Sequence, residues 1–161
     1  MQIIQTHKAF IRYDKLIPTV VREVGFDDID PAFMRASGSH LLTGIPYEPR
    51  EAERVEICLL GGQRFNVMED SVNQVLQASG LKPAGVHELC SLAKYATELP
   101  MDIIALGAPA HVPEGPIDRL AWPRLVSEPE GFYLELVAPD SPRNLWPSDF
   151  VFAGVRKFNR A

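Results

Sequence analysis

A chain of 161 residues, 46% of them hydrophobic, has the size of one globular domain and can bury a sizeable core without metals or disulfides. Its 16 Lys and Arg against 21 Asp and Glu give a net charge of -5, which removes any general attraction to nucleic acid or anionic membrane. Residues 1–8 lack the basic start, apolar run and small-residue cleavage site of a secretory signal, and no apolar stretch approaches a membrane span, so a cytoplasmic location is expected.

In chain order, residues 15–24 place Ile17, Val20, Val21 and Val24 at the i, i+3, i+4, i+7 spacing of an amphipathic helix, with Asp14 as N-cap, Pro18 in the first turn and Gly25 as terminator. Asp30-Pro31 predicts a single turn, and residues 37–49, rich in Gly, Ser and Pro without periodicity, predict a long loop. Residues 54–60 predict a strand with Val55, Ile57 and Leu59 on one face, stopped by Gly61-Gly62. Asp70 is expected to cap a short helix carrying Val72, Val75 and Leu76, closed by Gly80 with Leu81 against the preceding turn.

A second helix over 86–98 is the clearest pattern: Val86, Leu89, Cys90, Leu92, Ala93 and Ala96 fill one arc, and His87, Ser91, Lys94, Tyr95 and Glu98 the other. Pro100 ends it. The period then changes to that of strands over 103–106, 120–126, 132–137 and 150–157, separated by turns containing Pro, Gly, Asp or Ser. Pro123 inside the second of these predicts an edge strand or a bulge. Helices early and strands late predict an α+β fold. Two to three helices pack on one face of a mainly antiparallel sheet formed largely by the C-terminal half.

From about Gly80 the ordered set Gly80-Leu81-Lys82-Pro83-Ala84, Glu88-Leu89, Ile104-Ala105-Leu106-Gly107, Trp122-Pro123-Arg124-Leu125, Leu134-Glu135-Leu136, Trp146 and Phe152-Ala153-Gly154-Val155-Arg156-Lys157 resembles a group of small uncharacterised bacterial proteins. Their pattern is a Gly-Pro-Ala-Glu-Leu helix start, an Ala-Leu-Gly-Ser strand, a Trp and a Phe-Leu-Ala-Val-Arg-Lys ending. Here Ala108 stands in place of the Ser, and Ala153-Gly154 in place of Leu-Ala. The resemblance implies a helix-plus-antiparallel-sheet unit over 68–158, with 1–67 as a variable part of the same single domain. It implies no activity, cofactor or substrate.

Cys58 and Cys90 are flanked by apolar residues and are expected as core thiols, not a disulfide. His87 and Cys90, spaced i, i+3, have the spacing of two zinc ligands, but the helical period puts them on different arcs and a structural zinc needs four ligands, so no metal is expected. Gly61-Gly62-Gln63 spells the tripeptide of peptide-release factors, but without their basic surroundings it reads as a turn. Ser37-Gly38-Ser39-His40 is the nearest approach to a nucleophile and base, and it sits in the expected loop; no Gly-x-Ser-x-Gly elbow exists. Asp27, Asp28 and Asp30 are expected to cap the turn at Pro31, while Glu51, Glu53 and Glu56 alternate with Arg50 and Arg54 as a solvated charged face. No phosphate-cradling or dinucleotide-binding glycine motif is present, and no cofactor is expected.

Four residues are left as binding candidates. Trp122 and Trp146 are large amphipathic side chains of the type that anchor partner surfaces, with Trp146 expected in a loop. Arg156 and Lys157, with Arg160, offer a small anion site beside Trp146. The expected function is a non-catalytic accessory module that binds a protein or a small ligand. The alternatives are a small hydrolase or transferase whose groups, including His40, His87 or His111, converge only in space, and a nucleic-acid-associated module using Arg156, Lys157 and Trp146.

Overall fold

A computed structural model of the chain describes residues 1–34, 50–107, 109–114, 117–140 and 143–158. The loop expected over 37–49, with Ser37, Ser39 and His40, lies outside the described residues, as does Arg160.

The fold is α+β and mostly sheet. The strands are β1 (Gln2–Ile11), β2 (Asp28–Ile29), β3 (Glu53–Gly61), β4 (Val67–Met68), β5 (Lys82–Pro83), β6 (Asp102–Ile104), β7 (Ala110–Glu114), β8 (Ile117–Glu128), β9 (Gly131–Val137), β10 (Leu145–Trp146) and β11 (Val151–Lys157). The helices are α1 (Ile17–Val24), α2 (Glu69–Ala78) and α3 (Val86–Leu92). The large sheet runs β1-β3-β11-β6-β8-β9-β2, with β5 added on β11 and β7 on β8. Its ladders are antiparallel except β11 with β6 and β2 with β9. The short pair β10 and β4 lies apart.

The sheet is covered on both faces, where a single helical layer was expected. One face packs Val55, Ile57, Leu59 and Val155 against Ile17 and Val21 of α1 and Leu89, Cys90 and Leu92 of α3. The other packs Cys58, Leu60 and Phe152 against Val72 and Leu76 of α2 and against Trp146. The run Ile57-Cys58-Leu59-Leu60, apolar at every position, is what a doubly covered strand requires. Gly154 makes the second packing possible. A Cβ there would stand 2.6 Å from Leu76 Cδ2 and 3.0 Å from Leu81 Cβ.

Helix ends follow the sequence in part. Gly25 closes α1 at φ 76° and Gly80 follows α2 at φ 71°, with the Leu81 N–H donating to the Leu76 carbonyl at 2.9 Å. Neither expected acidic cap forms. Leu16 and Met68 occupy the N-cap positions; Asp14 is instead held by Arg12 at 2.7 Å, and Asp70 lies inside the first turn of α2. The turn at Asp30-Pro31 is a 3-10 turn, Pro31–Met34, in which the Ala32 N–H donates to Asp30 Oδ1. The long helix expected over 86–98 stops at Leu92 and continues as a 3-10 segment, Ala93–Glu98, kinked at Tyr95.

Pro123 sits inside β8, paired with Leu136 of β9, and not on an edge. On its other side β6 ends opposite Arg124 and β7 begins opposite Ala121, so the missing N–H falls where one neighbour gives way to the next. The Pro123 carbonyl still accepts the Ala105 N–H at 3.0 Å.

Candidate functional site

The first and last of the central ladders decide what β1 offers to solvent. The Arg54 carbonyl accepts the Phe158 N–H on the β11 side, so Arg54 turns its backbone polar groups away from β1. Backbone groups alternate sides along an antiparallel strand, and Phe10 pairs with Arg54, Lys8 with Glu56 and Thr6 with Cys58. Phe10, Lys8 and Thr6 therefore turn their N–H and C=O groups outward. The Lys8 carbonyl, taken by the Tyr95 hydroxyl at 3.1 Å, agrees with that assignment. Among the described residues no strand pairs with this edge.

Beside the Phe10 end of the edge lies a groove of about 200 Å³. Ile11 and Arg12 form one wall, Val20, Glu23 and Val24 of α1 a second, and His87, Cys90 and Ser91 of α3 the third. Ion pairs border it: Arg12 with Asp14 at 2.7 Å, and Lys15 Nζ with Glu23 at 2.9 Å. Phe10 on its rim is 60% exposed.

Under the groove is a buried polar cluster. Glu88 accepts the Tyr13 hydroxyl on Oε1 at 3.1 Å and the Gly85 N–H on Oε2 at 3.2 Å, so both carboxylate oxygens are used. Burial first, and Glu88 second, push the Tyr13 phenol far above its ordinary range, while the Arg50 guanidinium 3.7 Å above the Tyr13 ring acts in the opposite sense. His87 was expected on the solvated arc and is only 7% exposed. Its Nε2–H donates to the Lys15 carbonyl at 2.8 Å, an acceptor that lets the ring point inward. Burial raises the Cys90 thiol well above its ordinary value, with Glu88 adding to the effect, so the sulfur stays protonated and is a poor nucleophile or metal ligand. Among the described residues no three His, Cys, Asp or Glu side chains gather as metal ligands.

The four binding candidates do not come together. Trp122 and Trp146 are interior residues, 7% and 0% exposed, with their rings edge to face at 5.6 Å. Trp146 lies on β10, not in an open loop, and packs against Phe150 and Phe152. Neither ring is presented at the surface, and among the described residues neither indole N–H has a hydrogen-bond partner. Arg156 and Lys157 are successive residues of one strand and point to opposite faces. Arg156 bonds Glu56 at 2.9 Å and Lys157 lies 3.7 Å from Glu53, so the pair does not converge on one anion.

Of the other sequence candidates, Gln63 donates to the Phe150 carbonyl at 2.7 Å, and Gly62 takes φ 80° in the turn after β3. Asp27 accepts the Phe132 N–H and Asp28 the Ile29 N–H, as turn and strand-end ligands. His111 stands on β7 opposite Leu120. The groove residues Phe10, Arg12 and Glu23, and the buried Tyr13 and Glu88, were not singled out from the sequence. The one available signal was Glu88 itself, a carboxylate three residues after the Gly85 that opens α3.

The fold and groove thus define an α+β chain in which an edge that no described strand pairs with lies beside a cavity of about 200 Å³. No family model, curated protein or solved structure matches it. No helix among the described residues is long and apolar enough to cross a membrane.

Proposed function

We propose that the chain is a non-catalytic binding module that takes an extended segment of a protein partner against the Phe10 end of β1, with one apolar side chain of the partner in the adjoining groove. The observation that carries this reading is the outward N–H and C=O of Phe10 directly beside the cavity. Strand addition draws affinity from such backbone groups and specificity from pockets beside them. Size favours a side chain over a whole small molecule. The cavity is about 200 Å³, below the roughly 300–1,000 Å³ of ordinary ligand pockets. The protonated Cys90 thiol and the His87 Nε2 committed to a carbonyl weigh against a hydrolase or transferase at this place.

The test is selection of random displayed peptides on the purified protein, followed by calorimetry. Extended sequences with a recurrent apolar anchor should be enriched, and Val24→Glu, which puts a charge in the groove wall, should weaken them by about tenfold or more. Methylating the peptide nitrogen that faces Phe10 should do the same. Failure to enrich any peptide, or binding indifferent to Val24→Glu, would overturn the reading.

A further inference from the structure

We propose that the 3-10 segment Ala93–Glu98 is a releasable clasp over the outer edge of β1, an autoinhibitory contact that limits strand addition to the Phe10 end until it lifts. The inference rests on the binding reading above and extends it to the partner's length: with the clasp open, a longer extended segment can pair as far as Thr6.

Three contacts tie the segment to β1, and Tyr95 also packs against the main hydrophobic core. The Tyr95 hydroxyl donates to the outward carbonyl of Lys8, the same group an added strand would use. The Gln5 side-chain amide donates to the Glu98 carbonyl at 2.9 Å. That carbonyl can only accept, so the Gln5 nitrogen faces it and Gln5 Oε1 faces His7, whose Nε2–H donates to it at 2.9 Å. The His7 and Tyr95 rings pack at 4.5 Å between centroids. The clasp therefore occupies the edge from Gln5 to Lys8 and leaves Phe10 clear.

The same segment is built to come away without unfolding its neighbours. It is a 3-10 continuation of α3, a form whose hydrogen-bond geometry is poorer than that of an α-helix and which occurs in short runs. Tyr95 breaks it at φ -103°, ψ 19°, outside helical geometry. Lys94, Thr97 and Glu98 are exposed, whereas Leu89 and Leu92 of α3 are fully buried in the core. Covering an edge with a displaceable element is also a known protection against unwanted pairing. Release exchanges the Tyr95 bond to the Lys8 carbonyl for a partner N–H, so the partner supplies the compensating interaction.

Hydrogen exchange on the Tyr95→Phe, Gln5→Ala double variant tests the clasp directly. The amides of residues 94–98 should exchange about tenfold faster or more, with those of Leu89 to Leu92 unchanged. Unchanged exchange over 94–98, or acceleration of α3 together with it, would overturn the proposal. Peptide length supplies the second arm, using one selected peptide that reaches only Phe10 and an extended version that reaches Thr6. The wild-type protein should bind the two alike, and the variant should bind the longer one about tenfold tighter with the shorter unchanged. A longer peptide that gains nothing in the variant would sink the clasp and leave the groove reading intact. If neither peptide binds either protein, the groove reading fails, and the exchange rates still decide whether the clasp exists.

Discussion

His7 shows how one side chain can conceal a strand and then set its pH response. It stands in the inward row of β1 with Ala9 and Ile11, 8% exposed, opposite Ile57. An imidazole in that row, together with the bulge between Ile3 and Gln5, breaks the apolar alternation from which β1 would otherwise be read. His87 misled in the same way, and Glu88, placed on neither arc, is likewise a polar residue that turns inward to specific partners. The Lys15 carbonyl and the Tyr13 hydroxyl become neighbours of α3 only in the folded chain. Burial lowers the proton affinity of His7, and the Glu98 charge opposes this less strongly. The unfolded chain then takes up the proton more readily than the folded one. The contribution of neutral His7 is complete above the unfolded histidine value of about 6.5 and is lost as pH falls through that value toward the lower folded one. The urea midpoint of the wild type should therefore drop more between about pH 7.5 and about pH 5.5 than that of His7→Gln, which cannot titrate. Parallel pH profiles would show that His7 does not carry this slope.

At the scale of elements, two glycines fix how close the layers approach, and their neighbours differ in compliance. A Cβ on Gly154 meets the ends and base of the Leu76 and Leu81 side chains, whereas a Cβ on Gly107 meets the carbonyl oxygens of Pro83 and Ala84, each at 2.6 Å. Side chains can rotate; the backbone at Ala84 is also tied, since its carbonyl accepts the Gly107 N–H at 2.8 Å. Gly154→Ala should cost about 1–3 kcal/mol, the range for overpacking a core. Gly107→Ala should cost more and lower the denaturant midpoint further. Equal midpoints would mean that the two sites yield alike. Elements whose apolar period is local were legible: α1, α2, the first half of the 86–98 helix, and the strands β3, β9 and β11 all fall where their spacing places them. What tertiary contacts impose was not. The turn from α3 into a 3-10 segment follows from the pull of Lys8 and Gln5 on Tyr95 and Glu98, residues more than eighty positions away. Likewise the second covered face of the sheet depends on Trp146 folding back over Trp122 and Phe152.

At the scale of the whole molecule, the described cations of the sheet and of the groove rim are set in local pairs with carboxylates. The C-terminal cations are matched across the sheet, Arg156 by Glu56 and Lys157 by Glu53, and Arg124 by Asp102 and Glu135. Lys8 lies over the Phe158 ring at 4.6 Å, and Arg12 and Lys15 are each paired beside the groove. The net charge of -5 also disfavours the release of counterions from a phosphate backbone that drives polyanion binding. Individual exposed pairs contribute little to stability, but these pairs set carboxylates beside the cations that the sheet would present to a polyanion. Labelled single- and double-stranded oligonucleotides should therefore run unshifted with the protein even at about 0.01 M salt, where charges act over roughly 30 Å and weak attraction is most visible. Retardation that disappears steeply with added salt would mean that these pairs open in favour of phosphate, and would favour the Arg156 face of the sheet over the groove proposed at Phe10 as the binding surface.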